Sequence, residues 1–159
     1  MKHFSIFLLA LAGLAFACCT KADNLNPEEQ AAGTYWYNKI QSEVLYIDKA
    51  QSAFILLRVG IIEKEDGTPA EANRNGDPIT LPYALEGNHF VFKEGCYIIN
   101  GLTRIAVAYE EAWFDAVGNL IVQKGNYYPN GEKYYKDPRP ESTWEVIYTR
   151  KDLKFIDQD

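Results

Sequence analysis

Between Thr34 and Arg150 apolar and polar positions alternate with a period of two far more often than with the helical period of 3.6, and the runs are short. Residues 34–40 and 44–48 are rich in Tyr, Trp, Val and Ile and read as strands. Residues 49–52 make a turn into a longer strand over 53–64. There Phe54-Ile55-Leu56-Leu57 is apolar at every position, so both faces need cover, one from an opposite wall and the other from a neighbour such as a short helix. Leu81, Tyr83 and Leu85 alternate with polar or small residues, Gly87-Asn88 follows, and the alternation resumes at Phe90 and Phe92. This is a hairpin with a two-residue turn. Asn100-Gly101, Gly118-Asn119 and Pro129-Asn130-Gly131 are further turn signals around strands at 96–99 and 120–124. The last strand is 143–150, where Trp144, Val146 and Tyr148 share one face.

Two stretches depart from this pattern. Asn26 can cap a helical turn with Pro27 at its first position, Glu28 and Glu29 complement the dipole, and Gly33 ends it, so 27–32 is a short helix. Residues 65–78 carry Asp66-Gly67, Asn73, Asn75-Gly76 and two prolines, and form the longest irregular segment. Residues 102–117 satisfy both periods: four alanines favour helix, whereas the flanking turns favour a strand broken at Glu110-Glu111, and we take the strand. About eight short strands with regularly spaced turns predict an all-β, antiparallel barrel, with a β-sandwich as the alternative.

The first residues are of another kind. Lys2 and His3 precede an almost wholly apolar run from Phe4 to Ala17, as in a secretory signal. Its 14 residues would rise about 21 Å as a helix, short of the roughly 30 Å hydrocarbon layer, so a processed segment is expected and not a membrane span. The stretch Leu14-Ala15-Phe16-Ala17-Cys18 resembles the lipobox of bacterial lipoproteins. That resemblance implies that Cys18 is acylated and becomes the mature N-terminus, with Cys19 as the alternative. Cleavage after Ala17 without acylation competes with it. The expected organisation is a signal peptide over 1–17, a tether over 18–26 and a β domain over 27–159. Acyl chains contribute about 0.8 kcal/mol per buried methylene, enough to hold a folded body on a bilayer through lipid alone.

The short helix, Gly33-Thr34-Tyr35-Trp36 opening the first strand, the hairpin from Tyr83 to Phe92 and the final Trp144-Glu-Val-Ile-Tyr-Thr-Arg150 strand together resemble the lipocalin-like lipoproteins of Bacteroidota. The resemblance implies an eight-stranded barrel and an outer-membrane or cell-surface address. An eight-stranded barrel sits near the size at which side chains fill the interior, so occupancy by a ligand competes with simple packing.

Composition adds mainly exclusions. The chain has 16 Lys and Arg against 22 Asp and Glu; without residues 1–17 only Lys2 is lost, leaving 15 bases against 22 acids and a net −7. Phosphate backbones need a basic footprint, so no nucleic-acid partner is expected. His89 is the one histidine of the mature chain, too few for a zinc site, and Ser42, Ser52 and Ser142 lie in no nucleophile elbow. Cys96 lies in an apolar run and reads as an inert buried thiol. Glu111 with Asp115, or Glu63 with Glu65, would pair only if their segments place them on one face, and a solvated acidic surface is the simpler account. Asn73, Asn75 and Asp77 resemble part of a calcium loop but lack its closing acid. No enzyme activity, cofactor or metal is therefore expected, and nothing signals an oligomeric state.

Eleven Tyr, eight Phe and three Trp are the informative excess. Most suit strands and cores. Tyr127, Tyr128, Tyr134 and Tyr135 flank one tight turn, and neighbouring strand residues face opposite ways, so some of these rings must reach a surface or a cavity mouth. They are the candidate ligand-binding residues. The expected function is a lipid-anchored binding or accessory protein that holds a small apolar ligand or a partner in or at the mouth of a barrel. A surface carbohydrate-binding sandwich is the alternative, and a carboxylate hydrolase or a purely structural role stands behind it.

Overall fold

A computed structural model describes residues 26–66 and 68–156. The expected signal segment, Cys18, Cys19 and most of the tether lie outside the described residues. A helix α1 (Pro27–Ala31) precedes twelve strands. The first six are β1 (Tyr35–Asn38), β2 (Glu43–Asp48), β3 (Ala53–Ile62), β4 (Ala70–Arg74), β5 (Ile79–Glu86) and β6 (His89–Phe92). The others are β7 (Tyr97–Ile99), β8 (Ala106–Phe114), β9 (Leu120–Asn130), β10 (Lys133–Lys136), β11 (Thr143–Lys151) and β12 (Leu153–Phe155). They form one sheet, where the sandwich alternative would need two. The order is β10-β9-β11-β1-β2-β3-β5-β6-β8-β7; β9 also pairs with β8, and β4 joins β3 to β12.

The local rules act where the sequence carries them. Asn26 Oδ1 accepts the Glu28 N–H at 2.9 Å, which caps α1 with Pro27 at its first turn. Glu86 stands opposite His89, so Gly87 and Asn88 make the two-residue turn, Gly87 at φ 62 where a Cβ is unwelcome. Residues 102–117 resolve as strand β8, with a bulge between Tyr109 and Glu111 where Glu110 is the extra residue. The bulge resets the alternation, so that Tyr109 and Ala112 both join the same core.

Four expectations need correction. The described residues form twelve strands, not about eight. The segment 65–78 is not wholly irregular, because β4 lies within it. Ala70 and Ala72 alternate with Glu71 and Asn73 there, but alanine is a weak strand residue and turn formers flank it. The sheet is not purely antiparallel, since β12 pairs with β4 in parallel. Finally, the second face of 54–57 is covered not by the helix but by β4 and β12: Val44, Ile55, Leu57, Val59 and Ala72 form one cluster with Leu153 and Phe155 against it.

The larger cluster occupies the other face and gathers Trp36, Leu45, Phe54, Leu56, Leu81, Tyr83, Phe90, Phe92, Val122 and Tyr148 among others. Phe54 lies 4.9 Å from Phe90 and 5.6 Å from Tyr83 between ring centroids, pairings that contribute about 0.5–1.5 kcal/mol each beyond burial. Helix α1 borders this cluster through buried Ala31, and Tyr83 donates its hydroxyl proton to Glu28 at 2.6 Å. Buried Cys96 belongs to the same cluster, and burial pushes its thiol pKa up, as an inert thiol requires.

Candidate functional site

Strand alternation carries the apolar face toward one end of the sheet and then changes its chemistry. On β9, Leu120 and Val122 are followed at the same parity by Lys124; on β2, Ile47 and Leu45 are followed by Glu43. Lys124 is 2% exposed, yet its ammonium is fully engaged. It donates to Glu43 Oε2 at 2.9 Å, to Gln41 Oε1 at 2.6 Å and to the Tyr109 hydroxyl at 3.1 Å. Tyr148 donates to the same Glu43 oxygen at 2.7 Å. Lys124 Nζ also lies 4.3 Å from the centroid of the Tyr109 ring.

A buried ion pair of this kind survives only if every partner is bonded. Among the described residues no buried side-chain nitrogen or oxygen lacks a partner. Burial pulls the Lys124 pKa down against the opposing pull of Glu43. Burial pushes the Tyr109 hydroxyl far above its ordinary range, reinforced by Glu43, while the Arg58 charge works against it. Tyr148 is raised by burial in the same way. Both phenols therefore stay protonated donors at any physiological pH.

This network floors a cavity of about 560 Å³. Ile98, Ile99, Leu102, Val107 and Trp144 supply apolar walls, and Arg58 stands at it opposite Glu43 across the β2–β3 ladder. Among the described residues no carboxylate lies within ion-pairing distance of Arg58. Glu43 is the cavity's one acidic lining residue and is already matched by Lys124. The site therefore offers an apolar volume and one unspent positive charge.

The predicted tyrosines do not form a single platform. Across the β9–β10 hairpin Tyr135 stands opposite Tyr128 while Tyr134 stands opposite Pro129, which puts Tyr127 and Tyr134 on one face and Tyr128 and Tyr135 on the other. Tyr134 leans on Tyr97, centroids 5.0 Å apart, and Tyr127 donates to Glu110 at 3.1 Å. Tyr128 meets Arg139 at 3.3 Å, and Tyr135 is exposed. Tyr127, Tyr134 and Tyr135 line a second groove of about 860 Å³, which also contains Glu110 and Lys136. Gly125 lets the Glu110 carboxylate lie against the sheet, for a Cβ there would sit 2.9 Å from Glu110 Oε1. Burial opposes charge on Glu110, but Lys136, Gln123 and Tyr127 outweigh it and lower its pKa.

The remaining candidates are apart. Glu111 lies on β8 beside His89, 3.1 Å from its Nδ1, and the His89 ring stacks on Trp113. Asp115 accepts three bonds from Val117 and Asn119 within a turn, and Glu63 pairs with Lys151. Asn73 belongs to β4, with Asn75 and Asp77 beyond its end. Comparison with protein-family models, curated proteins and solved structures finds no match for this chain.

Sequence reasoning passed over Glu43, Arg58, Tyr109, Lys124 and Tyr148. For Glu43, Arg58, Lys124 and Tyr148 the signal was present in the alternation, since each sits at a parity otherwise filled by core residues on its own strand, whereas the bulge at Glu110 hides Tyr109 from that pattern.

Proposed function

We propose that this chain is a lipid-anchored cell-envelope protein whose sheet closes as a lipocalin-like barrel and holds, in the cavity above Lys124 and Glu43, a ligand with an apolar body and an anionic head. The observation that carries it is Arg58, with no carboxylate in ion-pairing distance among the described residues, beside an apolar-walled cavity whose buried polar side chains already satisfy one another. Closure of the barrel is supported by the β8–β9 pairing, which links the two arms of the sheet, and by the Lys124–Glu43 bond between strands separated by β11 and β1. Helix α1 would block one end and leave the other for the ligand. The mechanism is occupancy without turnover.

Titration calorimetry of the protein with decanoate and with decanol tests the ligand class. Decanoate should bind about tenfold more tightly, as a charge-assisted bond to Arg58 would provide. Arg58→Gln should erase that preference and spare decanol binding. Equal affinities in the parent protein would discard the anionic head, and no binding of either would discard the cavity as a ligand site.

The anchor rests on Leu14-Ala15-Phe16-Ala17-Cys18. Replacing Cys18 and Cys19 together by Ala should move the protein from the membrane fraction to the soluble one, and unchanged fractionation would remove lipid from the account.

A further inference from the structure

Two loops frame the cavity. Residues 39–42 join β1 to β2 and contribute Gln41 to its lining, and residues 100–105 join β7 to β8 and contribute Gly101 and Leu102. Each carries at its tip an aliphatic side chain turned to solvent: Ile40 is 94% exposed and Leu102 is 97% exposed. Each also carries a base, Lys39 or Arg104, and neither contains an acid, although the whole chain has a net charge of −6. Arg58 adds a third positive charge at the same cavity.

These tips are held out by bonded loops. Buried Asn38 donates to the Ile147 carbonyl at 2.8 Å and accepts the Gln41 N–H at 2.8 Å, which fixes the first loop. Asn100 Oδ1 accepts from the Leu102 and Thr103 N–H groups at 2.9 and 3.1 Å, and its carbonyl accepts from Arg104 at 2.8 Å. Two separate aliphatic tips across an open cavity make no continuous face for a protein partner. They match a lipid interface, where apolar tips enter between headgroups while bases meet phosphates.

We propose that the rim formed by Ile40 and Leu102, with Lys39 and Arg104, docks on an anionic bilayer surface with the cavity facing the lipid. This goes beyond the ligand reading and calls on no lipid at Cys18, and β8 leads away from the rim. Val117, an exposed apolar residue at the far end of that nine-residue strand, lies about 30 Å along the chain direction from Leu102. Docking by the rim and attachment near the other end thus give opposite signals.

The test uses the full chain with Cys18 and Cys19 replaced by Ser and a thiol-reactive, environment-sensitive fluorophore at Thr103→Cys or Val117→Cys, buried Cys96 remaining in place. Vesicles of phosphatidylcholine with phosphatidylglycerol should raise the emission at position 103 several-fold more than at 117, and pure phosphatidylcholine should raise it little. Ile40→Ser with Leu102→Ser should abolish the rise, and Lys39→Glu with Arg104→Glu should reduce it. An equal or larger rise at 117 would show attachment at the other end and overturn the proposal. Equal responses to both vesicles would overturn the anionic requirement, and silence at both positions would overturn the docking proposal as a whole.

Discussion

Lys124→Met is expected to cost about 3–5 kcal/mol, because it strands the Glu43 carboxylate among Tyr109, Tyr148 and the core with no cation left within ion-pairing distance among the described residues. For a body of this size that corresponds to a fall in melting temperature on the order of 15 °C. The cost is not that of losing a surface ion pair, worth about 1 kcal/mol or less, because Lys124 is withdrawn from water. Combining Lys124→Met with Glu43→Gln should recover most of the loss, since a neutral amide can still accept from the tyrosines. Lowering the pH should narrow the gap between the single variant and the parent, as a protonated carboxyl is cheaper to bury than a carboxylate. Thermal melts decide it. A single variant melting within about 2 °C of the parent would mean that the pair is solvated and that the floor of the cavity is not the dry network described.

Trp36→Ala is expected to destabilise by a similar amount, about 3–5 kcal/mol, and to detach α1. Trp36 is 1% exposed, its ring lies 5.1 Å from that of Phe114, and its indole nitrogen points at the Ala31 carbonyl from 3.5 Å. That bond is at the limit of useful length, so packing and not hydrogen bonding supplies most of the effect. Trp36→Phe should therefore retain much of the stability. A five-residue helix cannot persist alone, so losing its neighbour should release it, and hydrogen exchange of the α1 amides reads this directly. Undiminished protection of α1 in the Ala variant would show that the Tyr83–Glu28 bond holds the helix by itself.

The two outcomes bear on opposite ends of one face. Trp36 and α1 stand at an end held mainly by apolar packing, with the Tyr83–Glu28 bond beside it. Glu43 and Lys124 place a satisfied polar layer where the core stops and the cavity begins. Such a layer lies between the aliphatic walls of the cavity and the buried cluster that contains Phe92.

What the sequence by itself determined is everything governed by neighbours along the chain. The cap at Asn26, the turn at Gly87-Asn88 and the strands at 53–62, 79–86 and 143–151 follow from local dihedral preference and a period of two. Even the break at Glu110-Glu111 was legible, since two adjacent acids interrupt the alternation of a strand. The sequence also showed that Tyr127 and Tyr128 must diverge, without showing which face each would take. Tertiary structure alone decided that Lys124 meets Glu43 across 81 residues, that no carboxylate among the described residues comes within ion-pairing distance of Arg58, and that β4 and β12 cover the second face of β3. Alternation states which residues share a face, but the charge or ring that stands across from them depends on pairings between distant strands, and no period within one strand encodes that distance.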